Sequence, residues 1–185
     1  EATRRALLED ARRRFSGAPD GDTVPLDDAD PTISVLMPVH KVPTALLRAA
    51  AESVIGQTYQ KWELCIVDDC SESEAIREEL DRLAALDSRI KVRYLARNAG
   101  ISGASNQALD MATGAFIALL DNDDALTVDA LACVANEIRR RPDADVLYSD
   151  ECKMDEAGVP TEVFAKPDWS PMLMLNCMYI GHLTT

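Results

Sequence analysis

The chain has 185 residues, 47% of them hydrophobic and 28% charged, enough for one domain with a buried core and the wrong balance for a disordered, collagen-like or disulfide-stapled protein. A formal net charge of −13 repels a phosphate backbone and argues against general nucleic-acid binding. No apolar run approaches the roughly 18 residues of a membrane-spanning helix, and the start, which is Glu1 rather than Met, lacks the apolar stretch of a secretion signal and suggests upstream trimming.

Residues 2–15 read as a short helix with a weak apolar stripe of Leu7, Leu8, Ala11 and Phe15. Residues 1–15 carry five arginines against three acids, a charge suited to a partner or an anionic membrane surface, although a preceding segment cut out of its context is the plainer reading. Residues 16–31 hold Gly, Pro and five Asp without periodicity and read as a linker. The division expected is therefore 1–31 as helix and acidic linker and 32–185 as the ligand-binding domain.

From Ile33 strands and helices alternate. Ile33–Met37 reads as a buried strand stopped by Pro38. A helix over 44–55 puts Leu46, Leu47, Ala50 and Val54 on one face. Leu64–Val67 is a second strand, ending in Asp68-Asp69. Ser71 and Glu74 have the spacing of a capping box for a helix to about Leu86. Val92–Leu95 is a third strand and 102–111 a small-residue helix. Phe116–Leu120 is apolar throughout, as a central strand covered on both faces would be. A helix over 127–140 and a fifth strand, Val146–Tyr148, follow. This alternation predicts an α/β fold with an open, mainly parallel sheet and helices on both faces. Ligands of such sheets bind outside the carboxyl ends of the strands. Beyond Asp150, residues 152–162 read as a hairpin turning at 155–158, residues 166–171 as irregular, and Met172–Tyr179 as apolar. No turn or polar tail closes the sequence, so the domain is expected to continue past Thr185.

The chemistry-bearing residues gather at strand ends. Asp121-Asn122-Asp123-Asp124 puts carboxylates where an apolar strand meets solvent. Their mutual repulsion is relieved by a hard divalent cation, Mg²⁺ or Mn²⁺, which takes oxygen ligands and brings phosphate oxygens with it; the plainer reading is a solvated turn capping the next helix. Asp68-Asp69 can accept hydrogen bonds from a base or ribose, or simply favour a helix N-terminus. Asn98-Ala-Gly-Ile-Ser-Gly-Ala-Ser-Asn106 offers glycines and a helix start to an anion, but matches neither the G-x-G-x-x-G nor the Walker pattern. His40 follows the first strand, and the spacing of His182 gives it no role. The five cysteines are widely spaced with no C-x-x-C, which favours a reducing, cytoplasmic compartment over zinc or disulfides.

Taken in order, Ile33-Ser-Val-Leu-Met-Pro-Val-His40, Ser53-Val-Ile-Gly-Gln-Thr-Tyr59, Trp62-Glu-Leu-Cys-Ile-Val-Asp-Asp69, the 98–106 segment and Ala115-Phe-Ile-Ala-Leu-Leu-Asp-Asn-Asp-Asp124 resemble the family 2 glycosyltransferases, which have the GT-A fold. Val146-Leu-Tyr-Ser-Asp-Glu151 and Phe164-Ala-Lys-Pro-Asp-Trp-Ser170 resemble the subgroup that builds O-antigen and other bacterial surface polysaccharides. The resemblance implies inverting transfer from a nucleotide-diphosphate-sugar to a hydroxyl of a glycan or lipid-linked glycan, in the cytoplasm or at the inner face of the membrane. It implies that Pro38, Val39 and His40 line the nucleotide pocket. Asp69 would contact the base with Asp68 beside it, Asn98 would lie near the ribose or phosphates, and Asp121 and Asp123 would be the metal-binding D-x-D pair. Such a displacement needs a base for the acceptor proton and a cation for the leaving diphosphate. The resemblance puts the base in a carboxylate downstream of the hairpin, so it is expected beyond residue 185; Asp150-Glu151 matches a different family position. The chain alone is accordingly expected to bind nucleotide but transfer sugar poorly. Alternatives are a haloacid-dehalogenase-type phosphatase, which also uses D-x-D after an apolar strand, a receiver-type signalling domain, and a non-catalytic nucleotide-sugar-binding fragment.

Overall fold

A computed structural model describes residues 2–15, 27 and 29–185; most of the expected linker lies outside the described residues. The chain runs α1 (Ala2–Phe15), β1 (Ile33–Val39), α2 (Thr44–Ile55), β2 (Trp62–Asp68), α3 (Glu74–Leu86), β3 (Ile90–Tyr94), α4 (Gly100–Leu109), β4 (Phe116–Leu119), α5 (Ala130–Arg140), β5 (Glu151–Met154), β6 (Pro160–Phe164) and α6 (Pro171–Met174). The first four strands form one parallel sheet in the order β3-β2-β1-β4. The chain thus builds outward from β1 to β3, then returns to place β4 on the other side of β1. The order reverses between β1 and β4, and the gap at their carboxyl ends is where such sheets hold ligands.

Period-two alternation sorts the two faces. Ile33, Val35, Met37 and Val39 of β1 pack with Leu64 and Ile66 of β2 against residues of α2, α3 and α5. Leu36, Cys65 and Val67 face the other way, onto Ala104 and Ala108 of α4. Alanines let α4 lie close to the sheet. β1 and β2 are buried along almost their whole length, as apolar strands covered on both faces must be. Each fully buried Leu, Ile or Val side chain contributes about 1.5–3 kcal/mol.

Several expectations need correction. β1 runs through Pro38, because it stays paired with β2 as far as Val39 while its pairing with β4 ends at Leu36, so the missing Pro N–H falls on the β4 side, where the ladder has already ended. β4 is the last strand of the ladder and only partly buried, with Leu119 39% exposed. Residues 146–148 are no fifth parallel strand. Tyr148 pairs antiparallel with Thr184, and Thr184 pairs antiparallel with Leu119, so the segment 183–185 lies between β4 and 147–149. On α2 the buried face is Leu47, Ala50, Ala51 and Val54, while Leu46 is exposed. Ser73, not Ser71, caps α3, its Oγ accepting from Ile76 N at 3.4 Å.

The hairpin forms as expected, β5 antiparallel to β6 with its turn at Asp155–Gly158. Helix α1 packs on β6, Arg12 Nε donating to Pro160 O at 3.0 Å, and Arg14 pairs with the buried Asp129 before α5.

Candidate functional site

The loop that follows β4 is fixed from below by the residues of the 53–59 segment. Gln57 is buried; its Nε2 donates to Ser53 O and Thr127 O, and its Oε1 accepts from Leu131 N at 2.9 Å. Ser53 Oγ accepts from Leu126 N at 3.0 Å, and Thr58 N donates to Val128 O at 2.9 Å. A single buried amide with both ends satisfied thus anchors the loop to α2 and caps the start of α5. Above this anchor, Asn122 Nδ2 donates to Pro38 O at 2.8 Å, using the acceptor that β4 leaves free.

Three of the strand-end segments meet at the carboxyl edge. Asp69 is buried; its N–H donates to Val39 O at 2.8 Å and its Oδ1 accepts from Ala99 N at 2.6 Å, at the entrance to α4. Asp68, also buried, turns back to accept from Ser71 N at 3.3 Å. Ser71 Oγ in turn accepts from Lys41 N at 3.1 Å, which is why this serine is unavailable as a helix cap. His40 Nδ1 donates to Asp69 O at 2.9 Å. Asn98 Nδ2 donates to the same carbonyl at 3.3 Å and lies 3.3 Å from His40 Nδ1, while its Oδ1 accepts from Gly100 N. Pro38, Val39, His40, Asp68, Asp69 and Asn98 therefore form one connected rim. Among the described residues, the non-glycine positions in left-handed backbone are Lys41 (φ 50°), Cys70 (57°) and Glu72 (54°), all on this rim. Such strain concentrates where surrounding structure holds a binding surface in place.

The acidic cluster stands across the β1–β4 gap. Asp121, Asp124 and His182 bring one ligand atom each within 4.8 Å of one another. His182 Nδ1 donates to Asp124 Oδ2 at 2.9 Å, and its Nε2 is 3.7 Å from Asp121 Oδ2. Burial, with Asp124 and Asp123 nearby, pushes the Asp121 carboxyl above its usual range, although His182 draws it down. The Asp124 hydrogen bond raises His182 above an ordinary imidazole, aided by Asp121 and Glu151 and opposed by burial. Crowded carboxylates around an imidazole fit a divalent cation, which takes carboxylate oxygens and a neutral imidazole nitrogen once the proton leaves. Asp123 is exposed and lies outside this trio. Sequence reasoning gave His182 no role, because 58 residues separate it from Asp124 and no spacing pattern reports a contact made by the sheet.

Asp150 and Glu151 are occupied: Asp150 Oδ1 accepts from Lys166 N at 2.8 Å, and Glu151 pairs with Lys166 Nζ at 3.1 Å.

A parallel sheet with its order reversed at β1, a rim of left-handed backbone on one side of the gap and a carboxylate–imidazole cluster on the other define an open α/β protein with its chemistry-bearing residues at the carboxyl edge of the sheet. Comparison with known proteins gives the family. The profile described as "Glycosyl transferase family 2" matches residues 34–163, and the chain belongs to that family. The "O-antigen biosynthesis protein RfbC" of Myxococcus xanthus is 36% identical over 152 residues, which is 82% of this chain and 12% of that protein. The crystal structure of S. aureus TarS 1-349 in complex with UDP-GlcNAc superposes with a TM-score of 0.59 at 26% identity, covering 70% of this chain and 37% of that one. GalNAc-T7 with UDP, GalNAc and Mn2+ gives a TM-score of 0.55 at 27% identity, over 60% of this chain and 22% of that one. The fold is GT-A. The chain spans 17% and 12% of the length of the first curated relatives. The phosphatase and receiver readings fall away with the family assignment.

Proposed function

We propose that residues 32–185 form the donor-binding part of an inverting glycosyltransferase that uses a nucleotide-diphosphate-sugar and a divalent cation to extend a bacterial surface polysaccharide. The observation that carries this reading is the convergence of Asp121, Asp124 and His182 across the gap from the Asp69–His40–Asn98 rim. In this reading Pro38, Val39 and His40 shape the nucleotide pocket. Asp69 spends Oδ1 on Ala99 N and offers its other oxygen to the base. Asp68 holds the turn behind it, and Asn98 faces the ribose or phosphates. Asp121, Asp124 and His182 hold Mg²⁺ or Mn²⁺, with Asp123 adding negative charge beside them. The cation supplies charge neutralisation for the departing diphosphate. The chain's own residues fix the donor so that its anomeric carbon faces the acceptor. The acceptor is a glycan or lipid-linked glycan. A lipid-linked acceptor would bring the protein to the inner face of a membrane, and no helix among the described residues is long and apolar enough to cross one.

Support for the donor class comes from the UDP-GlcNAc complex of TarS, and for the polysaccharide role from RfbC. Thermal melting with UDP, GDP and dTDP, each with and without Mn²⁺, tests the reading. One nucleoside diphosphate should raise the melting temperature only when Mn²⁺ is present, following mass action. Asp121→Asn and Asp124→Asn should each abolish the metal-dependent part. No Mn²⁺-linked stabilisation by any of the three would overturn the cation assignment. Comparing Asp123→Ala with Asp124→Ala separates the ligand from its charged neighbour.

A further inference from the structure

Next to the cation trio lies a buried charge that has no role in the reading above. Lys166 lies in the irregular segment after β6, and its side chain is 1% exposed. Its Nζ donates to Ile180 O at 2.7 Å and His182 O at 2.6 Å, and pairs with Glu151 Oε2 at 3.1 Å. The three donors of the ammonium are all used. The same Glu151 Oε2 accepts from His182 N at 3.3 Å. An ion pair therefore grips the backbone of His182 at both its N–H and its C=O. Gly181 sits inside the grip with φ +40°, and a Cβ there would lie 2.9 Å from Glu151 Oε2 and 3.6 Å from Lys166 Nζ. A side chain there would displace the Glu151 carboxylate and would sit in a backbone conformation that L residues rarely adopt.

Burying an ammonium is costly unless every proton finds an acceptor. Here that cost is met in a segment whose other large side chains are mostly exposed, including Trp169, Met172, Leu175 and Met178. The clasped stretch itself is better covered, with Tyr179, Ile180 and Leu183 buried and Leu183 packed into the main core. The backbone acceptors of the ammonium belong to the loop that directs His182 toward Asp121 and Asp124.

We propose that Lys166 is a positioning residue: with Glu151 it fixes the 180–182 backbone so that the His182 imidazole meets Asp121 and Asp124 and completes the cation site. This rests on the reading of that trio as a cation site. Lys166 touches neither cation nor donor and acts through the backbone. Removing it keeps every ligand residue but releases the backbone that positions His182.

The chain has two histidines, His40 and His182, so imidazole NMR resolves the question, with His182→Ala assigning the signals. In Lys166→Met without metal, the His182 ring resonances should move toward those of a freely exposed imidazole while His40 stays unchanged. In the wild type with UDP, Mn²⁺ should broaden His182 more strongly than His40. Mn²⁺ affinity should fall about 10–100-fold in Lys166→Met, the range seen when groups supporting a metal ligand are lost. Glu151→Gln, at a side chain 44% exposed, should move both readouts the same way by less, and it carries the test if Lys166→Met fails to fold. A folded Lys166→Met with wild-type His182 resonances and wild-type Mn²⁺ affinity would overturn the positioning role and leave the cation site standing. No Mn²⁺ broadening of His182 in the wild type would overturn the cation site and this proposal with it, and the metal-free spectra distinguish the two failures.

Discussion

Glu63, at the amino end of β2, is 7% exposed and gathers four donors. Oε1 accepts from Ser34 Oγ at 2.6 Å and Thr113 N at 2.5 Å; Oε2 accepts from Lys91 Nζ at 2.6 Å and Thr113 Oγ1 at 2.9 Å. Burial alone would raise its carboxyl, but Lys91, Ser34 and Thr113 together bring it down to about 2. A carboxyl lowered on folding stabilises the native state above its unfolded value, near 4.5, and loses that contribution as pH falls toward 2. Urea unfolding between these limits should show stability falling by on the order of 3 kcal/mol from this group, and Glu63→Gln should flatten that part of the profile. His182 has the opposite sign. Raised chiefly by Asp124, it keeps its proton above the ordinary imidazole value of about 6.5. A cation must displace that proton, so Mn²⁺ affinity measured by calorimetry should climb as pH rises through the raised value. At this scale Asp68, Asp69 and Asp121 were legible in the sequence because carboxylates at the ends of apolar strands announce themselves locally. His182 was not, since its partners lie far away along the chain.

Elements follow local rules wherever no tertiary partner competes. The strand–helix alternation held from β1 to α5 because apolar period and breaker residues act over a few positions. Ser71 has the sequence of a cap, yet its hydroxyl serves Lys41 N, and the helix begins two residues later on Ser73. Pro38 reads as a stop, yet the strand continues because β2 pairs with it as far as Val39 and β4, on the other side, has already ended at Leu36. Gly114, just before β4, shows the constraint at the amino edge of the sheet. A Cβ there would lie 2.5 Å from Thr32 O and 2.6 Å from Ser34 Oγ, and Gly114 N donates to that hydroxyl at 2.9 Å. Gly114→Ala must push β4 off β1, at a cost of about 1–3 kcal/mol. Thermal melting should fall by about 2–4 °C per kcal/mol. Nucleotide affinity should hold, because the site lies at the opposite end of the strands.

The molecule as a whole closes its sheet with the last residues described. Leu119 N donates to Thr184 O at 3.0 Å, Leu147 N to Thr185 O at 2.8 Å and Ser149 N to Leu183 O at 3.1 Å. These bonds lie next to His182, so a cation that engages His182 should also restrain the closure. Hydrogen exchange should slow at the amides of Leu119, Leu147 and Ser149 when UDP and Mn²⁺ are added, while those of β1 and β2, already in the core, change little. Helix α1 is tied to the rest of the chain by Arg12 donating to Pro160 O and Arg14 pairing with Asp129. The sequence by itself determined the parallel α/β alternation, the acidic strand ends and the ordered segments that mark the family, because each depends on neighbours within one or two turns of chain. The tertiary structure alone decided that β4 ends the parallel ladder, that 183–185 lies antiparallel beside it, and that His182 joins Asp121 and Asp124. Those arrangements depend on how irregular segments such as 165–182 fold back across the sheet. Such segments carry no periodic pattern, and their course is set by buried polar anchors such as Lys166 and Gln57.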